Sequence, residues 1–122
     1  YVLASIYAKK NYYDDVLIFN SNNRIIESTN SNLFLVLDNV IYTSPLIDGC
    51  VDGTMRKLIL DILKKKYTIL IESISESQLL NSSEIFLTNS LSGVRWVGVC
   101  GNSMNKNKSV ASYLIESLND LI

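Results

Sequence analysis

The chain has 122 residues, 48% hydrophobic and 19% charged, with a net charge of -1. That is the size of one domain able to build its own core, and its charge excludes both a basic nucleic-acid surface and a highly charged disordered chain. There is no histidine, so Ser-His-Asp and Cys-His catalysis and histidine-based zinc sites are excluded within these residues.

In chain order, Tyr1 to Ala8 reads as the middle of a helix with no capping residue before it. Val16-Leu17-Ile18-Phe19 is a short β-type run and Asn20 to Asn23 a turn, so a hairpin returning over Arg24 to Ser28 is predicted. Thr29 to Asn32 is a polar loop before a buried strand over Leu33 to Leu37, and Asp38-Asn39 turns the chain into Val40 to Thr43. Leu46 to Gly53 is a loop in which Gly49 and Gly53 allow backbone angles that other residues avoid.

A helix follows, capped by Asp52, with Met55, Leu58, Ile59, Ile62 and Leu63 on one face and Lys64-Lys65-Lys66 complementing its C-terminal dipole. Next come a strand over Thr68 to Glu72, a short helix opened by the capping-box pattern Ser75-x-x-Gln78, and strands over Glu84 to Leu87 and Val94 to Val99. Gly101 to Lys108 is a polar loop, and Val110, Tyr113, Leu114, Leu118 and Leu121 describe a terminal amphipathic helix. The order predicts an α+β fold, mainly an antiparallel sheet curling into a barrel-like domain with flanking helices, over residues 1–122 as a single domain. Cys50 and Cys100 read as free buried thiols, and no run is long enough to span a bilayer, so the expected location is the cytoplasm.

Three stretches carry candidate chemistry, and each has a plain structural alternative. Glu27 ends a strand and is followed by small polar side chains to Phe34, where a solvated carboxylate is the ordinary reading. Gly49 to Arg56 opens the central helix, whose free amides and dipole favour an anion such as phosphate, although a simple capped helix start is commoner and Arg56 reads as a first-turn surface residue. Phe86-Leu87-Thr88-Asn89-Ser90-Leu91 runs from a hydrophobic strand into hydroxyl and amide groups suited to phosphate oxygens, or to an ordinary polar turn.

Taken together, Glu-x-x-x-Ser-Asn-Leu-Phe, the Gly-x-Met-Arg helix entrance and the Phe-Leu-Thr-Asn-Ser strand end resemble the aminotransferase class IV family, over nearly the whole chain. The resemblance implies the C-terminal, cofactor-holding domain of a pyridoxal 5'-phosphate enzyme acting on a small amino substrate. Glu27 would pair with the pyridine nitrogen, Asn30 would lie beside the cofactor, and Gly53, Thr54, Met55, Asn89 and Ser90 would form the phosphate cup. It implies no metal, a homodimer, and an N-terminal domain as the missing partner.

The family's Schiff-base lysine would fall upstream of Tyr1, and Lys9 and Lys10 match the helix after it, so this chain alone is expected to be inactive. Gly49 to Arg56 and Thr88 to Leu91 are most similar to 4-amino-4-deoxychorismate lyases, with branched-chain and D-amino acid aminotransferases as the alternative. Trp96 departs from the proline that many relatives carry there. A catalytically silent folding or dimerisation fragment is the remaining alternative.

Overall fold

A computed structural model describes residues 10, 15–51, 53–91, 93–97, 99–100, 103–104 and 107–121, with backbone only at 99–100 and 103–104. The helix expected over Tyr1 to Ala8, Lys9 and the capping role of Asp52 lie outside the described residues. The strands are β1 (Leu17–Phe19), β2 (Ile25–Ser28), β3 (Asn32–Leu37), β4 (Val40–Thr43), β5 (Thr68–Ile71), β6 (Glu84–Asn89), β7 (Gly93–Trp96), β8 (Val99–Cys100) and β9 (Ser103–Met104). The helices are α1 (Thr54–Leu63), α2 (Glu76–Asn81) and α3 (Ser109–Asn119), with a 3-10 turn over Leu46–Asp48.

β3 is the central strand because its residues are apolar on both sides. Phe34 and Val36 face one way, into a cluster with Ile59 and Leu63 of α1 and Val110 and Leu114 of α3. Leu33 and Leu35 face the other way, into a cluster with Ile25, Ile74 and Leu79. β6 repeats the division, with Phe86 on the α1 side and Ile85 and Leu87 opposite. A strand covered on both faces reads as a continuous hydrophobic run, as Leu33 to Leu37 does. Phe34 and Phe86 are cross-strand partners, and their rings stack 5.2 Å apart at 4°.

Seven strands form one sheet, and it forks. β6 runs antiparallel to β3 along residues 32–36 and so occupies one edge. The other edge is shared: Glu27 of β2 pairs with Asn32, and β4 then pairs with Phe34 through Leu37. The β1–β2 hairpin therefore leaves the sheet at the start of β3.

β5 lies parallel to β4, in register from Val40 and Thr68, because α1 carries the chain across between them. The sheet is mostly antiparallel, as expected. Among the described residues it does not close into a barrel: β1, β5 and β7 each end the pairing, leaving an open, forked sheet with helices packed on it. The strand expected over Val94 to Val99 is divided between β7 and β8, and β8 pairs with β9, which lies inside the stretch expected to be loop.

α1 also differs from its expected face. Arg56, Ile59, Leu60, Ile62 and Leu63 are buried, while Leu58 is exposed. Arg56 is no surface residue, since it is buried and its Nη2 donates to the Ser44 carbonyl at 3.0 Å. Leu121, expected on the apolar face of the last helix, is exposed beyond the end of α3. α2 keeps its predicted capping box: the Gln78 amide donates to Ser75 Oγ, and the Ser75 amide donates to Gln78 Oε1. Cys50 is free and buried.

Candidate functional site

Three segments meet where the sheet forks. Glu27 reaches the place from the end of β2, and Asn32 faces it across the hairpin. The chain from Ser28 to Ser31 closes between them, with the Ser28 amide donating to the Ser31 carbonyl at 2.9 Å. The segment before α1 arrives from the second direction, and the end of β6 supplies Thr88 as the cross-strand partner of Asn32. By strand alternation, Asn32 and Thr88 share the face of Phe34 and Phe86, which α1 covers.

The result is a polar pocket of about 260 Å³. Its walls are Glu27 and Thr29 to Asn32, then Val51, Gly53 and Met55, then Thr88 to Ser90. Of the expected residues, Glu27, Asn30, Gly53, Met55, Asn89 and Ser90 line this one cavity; Thr54 is exposed and does not. Thr29, Ser31, Asn32, Val51 and Thr88 complete the lining and were missed as individual residues, though every one lies inside or beside the three stretches singled out. The signal that could have found Asn32 and Thr88 is alternation: each sits two residues from a core phenylalanine on its own strand.

A second, larger cleft of about 470 Å³ is lined by Met55, Leu58, Val94, Ile115, Leu118 and Leu121 among others. Among the described residues it offers no ionisable group, so the smaller polar pocket is the one suited to chemistry.

Glu27 is only 3% exposed. Its Oε1 accepts a hydrogen bond from the Val51 amide at 2.5 Å, which fixes the carboxylate against the loop before α1. The same loop is held by Asn32, whose Nδ2 donates to the Val51 carbonyl at 2.9 Å. Two side chains of the hairpin thus grip both backbone groups of Val51. Gly53 is required by closeness: a Cβ there would lie 2.9 Å from Asn32 Oδ1. Its backbone is ordinary, with φ -68, so strain is not the reason.

The first turn of α1 leaves backbone amides without helical acceptors, as every helix start does, and its N-cap, Gly53, has no side chain to offer them. Thr88 is 1% exposed, and its Oγ1 has no hydrogen-bond partner among the described residues. A buried hydroxyl left unsatisfied costs stability unless a guest completes it. A buried carboxylate, a helix start and an unsatisfied hydroxyl around one cavity suit a guest that has a cationic ring nitrogen and a phosphate.

Among the described residues no lysine lines the pocket. Lys10 is exposed, so it does not stand in for the Schiff-base lysine. Cys50 does not line the pocket, and its Sγ lies 3.6 Å from the Ser44 and Pro45 carbonyls. Burial pushes its thiol pKa up, with Arg56 opposing the shift. Among the described residues no group of acidic, cysteine or histidine side chains could hold a metal, and no helix is long and apolar enough to cross a membrane.

Comparison with known proteins finds the same arrangement of segments elsewhere. The family model described as amino-transferase class IV matches residues 1–99. The aminodeoxychorismate lyase of Vibrio harveyi is 33% identical over 108 residues, covering 88% of this chain and 39% of that protein. A structure from Legionella pneumophila, whose name proposes a 4-amino-4-deoxychorismate lyase, superposes with TM-score 0.92 at 31% identity over 98% of this chain and 45% of that one. The branched-chain amino acid aminotransferase of Escherichia coli superposes with TM-score 0.94 at 20% identity over 98% of this chain and 42% of that one, a likeness of fold alone. The chain spans less than half the length of each.

Proposed function

We propose, for a chain that belongs to the amino-transferase class IV family, that the polar pocket is a pyridoxal 5'-phosphate cradle and that the chain is the cofactor-holding C-terminal half of a 4-amino-4-deoxychorismate lyase, which forms 4-aminobenzoate and pyruvate. The observation that carries the cradle is the buried Glu27 carboxylate sharing one cavity with the start of α1 and the unsatisfied Thr88 hydroxyl. Glu27 would hold the proton on the cofactor's ring nitrogen, its orientation set by the Val51 amide. The amides of Thr54 and Met55, with Asn89 and Ser90, would take the phosphate, and Asn30 would close the side of the cavity. When bound, the cofactor supplies an electron sink for the bonds around the substrate's amino-bearing carbon.

The preference for lyase over aminotransferase is supported by the match to the Vibrio harveyi protein, 33% identical over 108 residues. A branched-chain amino acid aminotransferase is the second reading, favoured by a 44% identical match to a Rickettsia bellii protein named for that activity, over 57 residues. Both readings place the attaching lysine a short way upstream of Tyr1 and the rest of the substrate pocket in an N-terminal domain, pair the protein as a homodimer, and predict that the 122 residues alone turn nothing over.

The test is a chain extended upstream by the segment its relatives carry. It should bind pyridoxal phosphate with visible absorbance, and release of 4-aminobenzoate rather than a keto acid separates lyase from aminotransferase. An extended, folded chain that does not take up the cofactor would remove the cradle reading. Turnover by the 122 residues alone would contradict the incomplete site.

A further inference from the structure

Arg95 is not accounted for by the pocket's own chemistry. It lies on β7 opposite Leu87, and therefore on the sheet face away from α1. From there its Nη2 lies 3.0 Å from Ser31 Oγ, and 3.4 Å from both Asn30 Oδ1 and Asp15 Oδ2. Asp15 grips the same wall from its other oxygen: Oδ1 accepts from the Thr29 hydroxyl at 2.8 Å and from the Thr29 amide at 3.3 Å. Between them the two charged residues touch three successive wall residues, 29, 30 and 31.

Asn89 completes the arrangement from the third segment. Its Nδ2 donates to Ser31 Oγ at 2.9 Å, and the Ser31 hydroxyl donates its own proton to Asn30 Oδ1 at 3.0 Å. Ser31 thus accepts twice and donates once, the full capacity of a hydroxyl. Its direction is set jointly by Arg95 and Asn89. Without Arg95, the Ser31 oxygen and Asn30 Oδ1 each lose a donor, and the hydroxyl that joins Asn30 to Asn89, both pocket residues, loses one of the two groups that orient it.

We propose that Arg95, tethered by Asp15, is a positioning residue that holds Asn30, Ser31 and Asn89 in the one arrangement that fits the pocket's ligand. It acts through those residues and does not touch the ligand. The inference rests on the cradle reading above. The Arg95–Asp15 pair is long and Arg95 is 38% exposed, so its role lies in geometry rather than in bulk stability.

The alternative is that Arg95 simply attracts an anionic ligand through space. In the extended chain, Arg95→Met and Asp15→Asn separate the two. Positioning predicts that Arg95→Met weakens pyridoxal phosphate binding about tenfold and inorganic phosphate less than that, since Asn89 is one of several groups that would take the phosphate while Asn30 would meet only the cofactor. It predicts that Asp15→Asn weakens the cofactor in the same direction, and that the double variant is no worse than Arg95→Met. Attraction through space predicts the reverse: Asp15→Asn tightens binding, and both anions weaken equally in Arg95→Met. That pattern, or equal cofactor affinity in wild type and Arg95→Met, would overturn the proposal. Hydrogen exchange on the unliganded protein gives an answer independent of the cofactor: the Ser28 and Thr29 amides should exchange faster in Arg95→Met, and unchanged protection would overturn the role of Arg95 even if no cofactor bound. Absence of cofactor binding in the wild type would overturn the cradle reading instead.

Discussion

Glu27 is buried, oriented by one backbone amide and set at the edge of a cavity, and those three facts give its replacement a particular signature. Glu27→Gln keeps an oxygen for Val51 but no negative charge for a ring nitrogen. In the extended chain it should lower kcat by about a hundredfold or more while phosphate affinity changes little; unchanged turnover would discredit the assignment. Gly53→Ala tests closeness instead. The added methyl meets Asn32 Oδ1, and Asn32 has little room to yield because its amide holds Val51. A loss of about 1–3 kcal/mol in unfolding free energy is expected, together with weakened cofactor binding. Cys50 should behave as an inert thiol, since burial holds it protonated, and alkylation at neutral pH should be slow until the chain unfolds.

Whole elements were legible where one pattern admitted one answer. Val40 to Thr43 lies between a turn and a proline, and its limits are as read. The capping box of α2 is a local device that needs no tertiary knowledge, and it formed as written. α1 shows where reading stops. Residues 55, 58, 59, 62 and 63 make a good helical stripe, but so do 56, 59, 60 and 63, turned by one position. Arg56 decides between them by reaching the Ser44 carbonyl, a contact 12 residues away in sequence that no local pattern contains.

Met55 and Leu58 then fall to the apolar cleft beside α3. The start of α3 was equally hidden, because its cap comes from a strand: both oxygens of Glu84, fully buried on β6, accept the Val110 and Ala111 amides at 3.1 and 2.8 Å. Glu84→Ala should cost about 3 kcal/mol by leaving two buried amides and a void, and urea unfolding measures it. Glu84→Gln should cost less, since one acceptor remains.

At the scale of the molecule, the class of fold could be read and its connectivity could not. Hairpin turns such as Asp38-Asn39, both at positive φ, announce antiparallel neighbours. Nothing local announces that β5 returns parallel to β4, or that β2 and β4 divide one edge of β3. The candidate site was legible as three stretches because its residues are polar interruptions in apolar strands. Its coherence came only from the fork that brings them together.

Asp15 ties the chain before β1 to that fork, and it carries a pH dependence. Burial raises its pKa, but the hydrogen bonds from Thr29, Val16 and Ser28 outweigh burial and leave it below its ordinary value. A carboxyl lowered on folding contributes stability that is complete above the unfolded pKa and is lost as pH falls through the folded one. Urea midpoints should therefore drop as the pH is taken below about 4, and Asp15→Asn should flatten that drop.

The fork also makes the four residues from Ser28 to Ser31 a gauge of length. Glu27 faces Asn32 only because the connection between them has that span. One inserted residue must either bulge outward or slide the pairing, and a slide of one position would turn Glu27 to the opposite face. The loop can thus exchange side chains far more freely than it can change its number of residues, so insertions here are barred while substitutions are tuned.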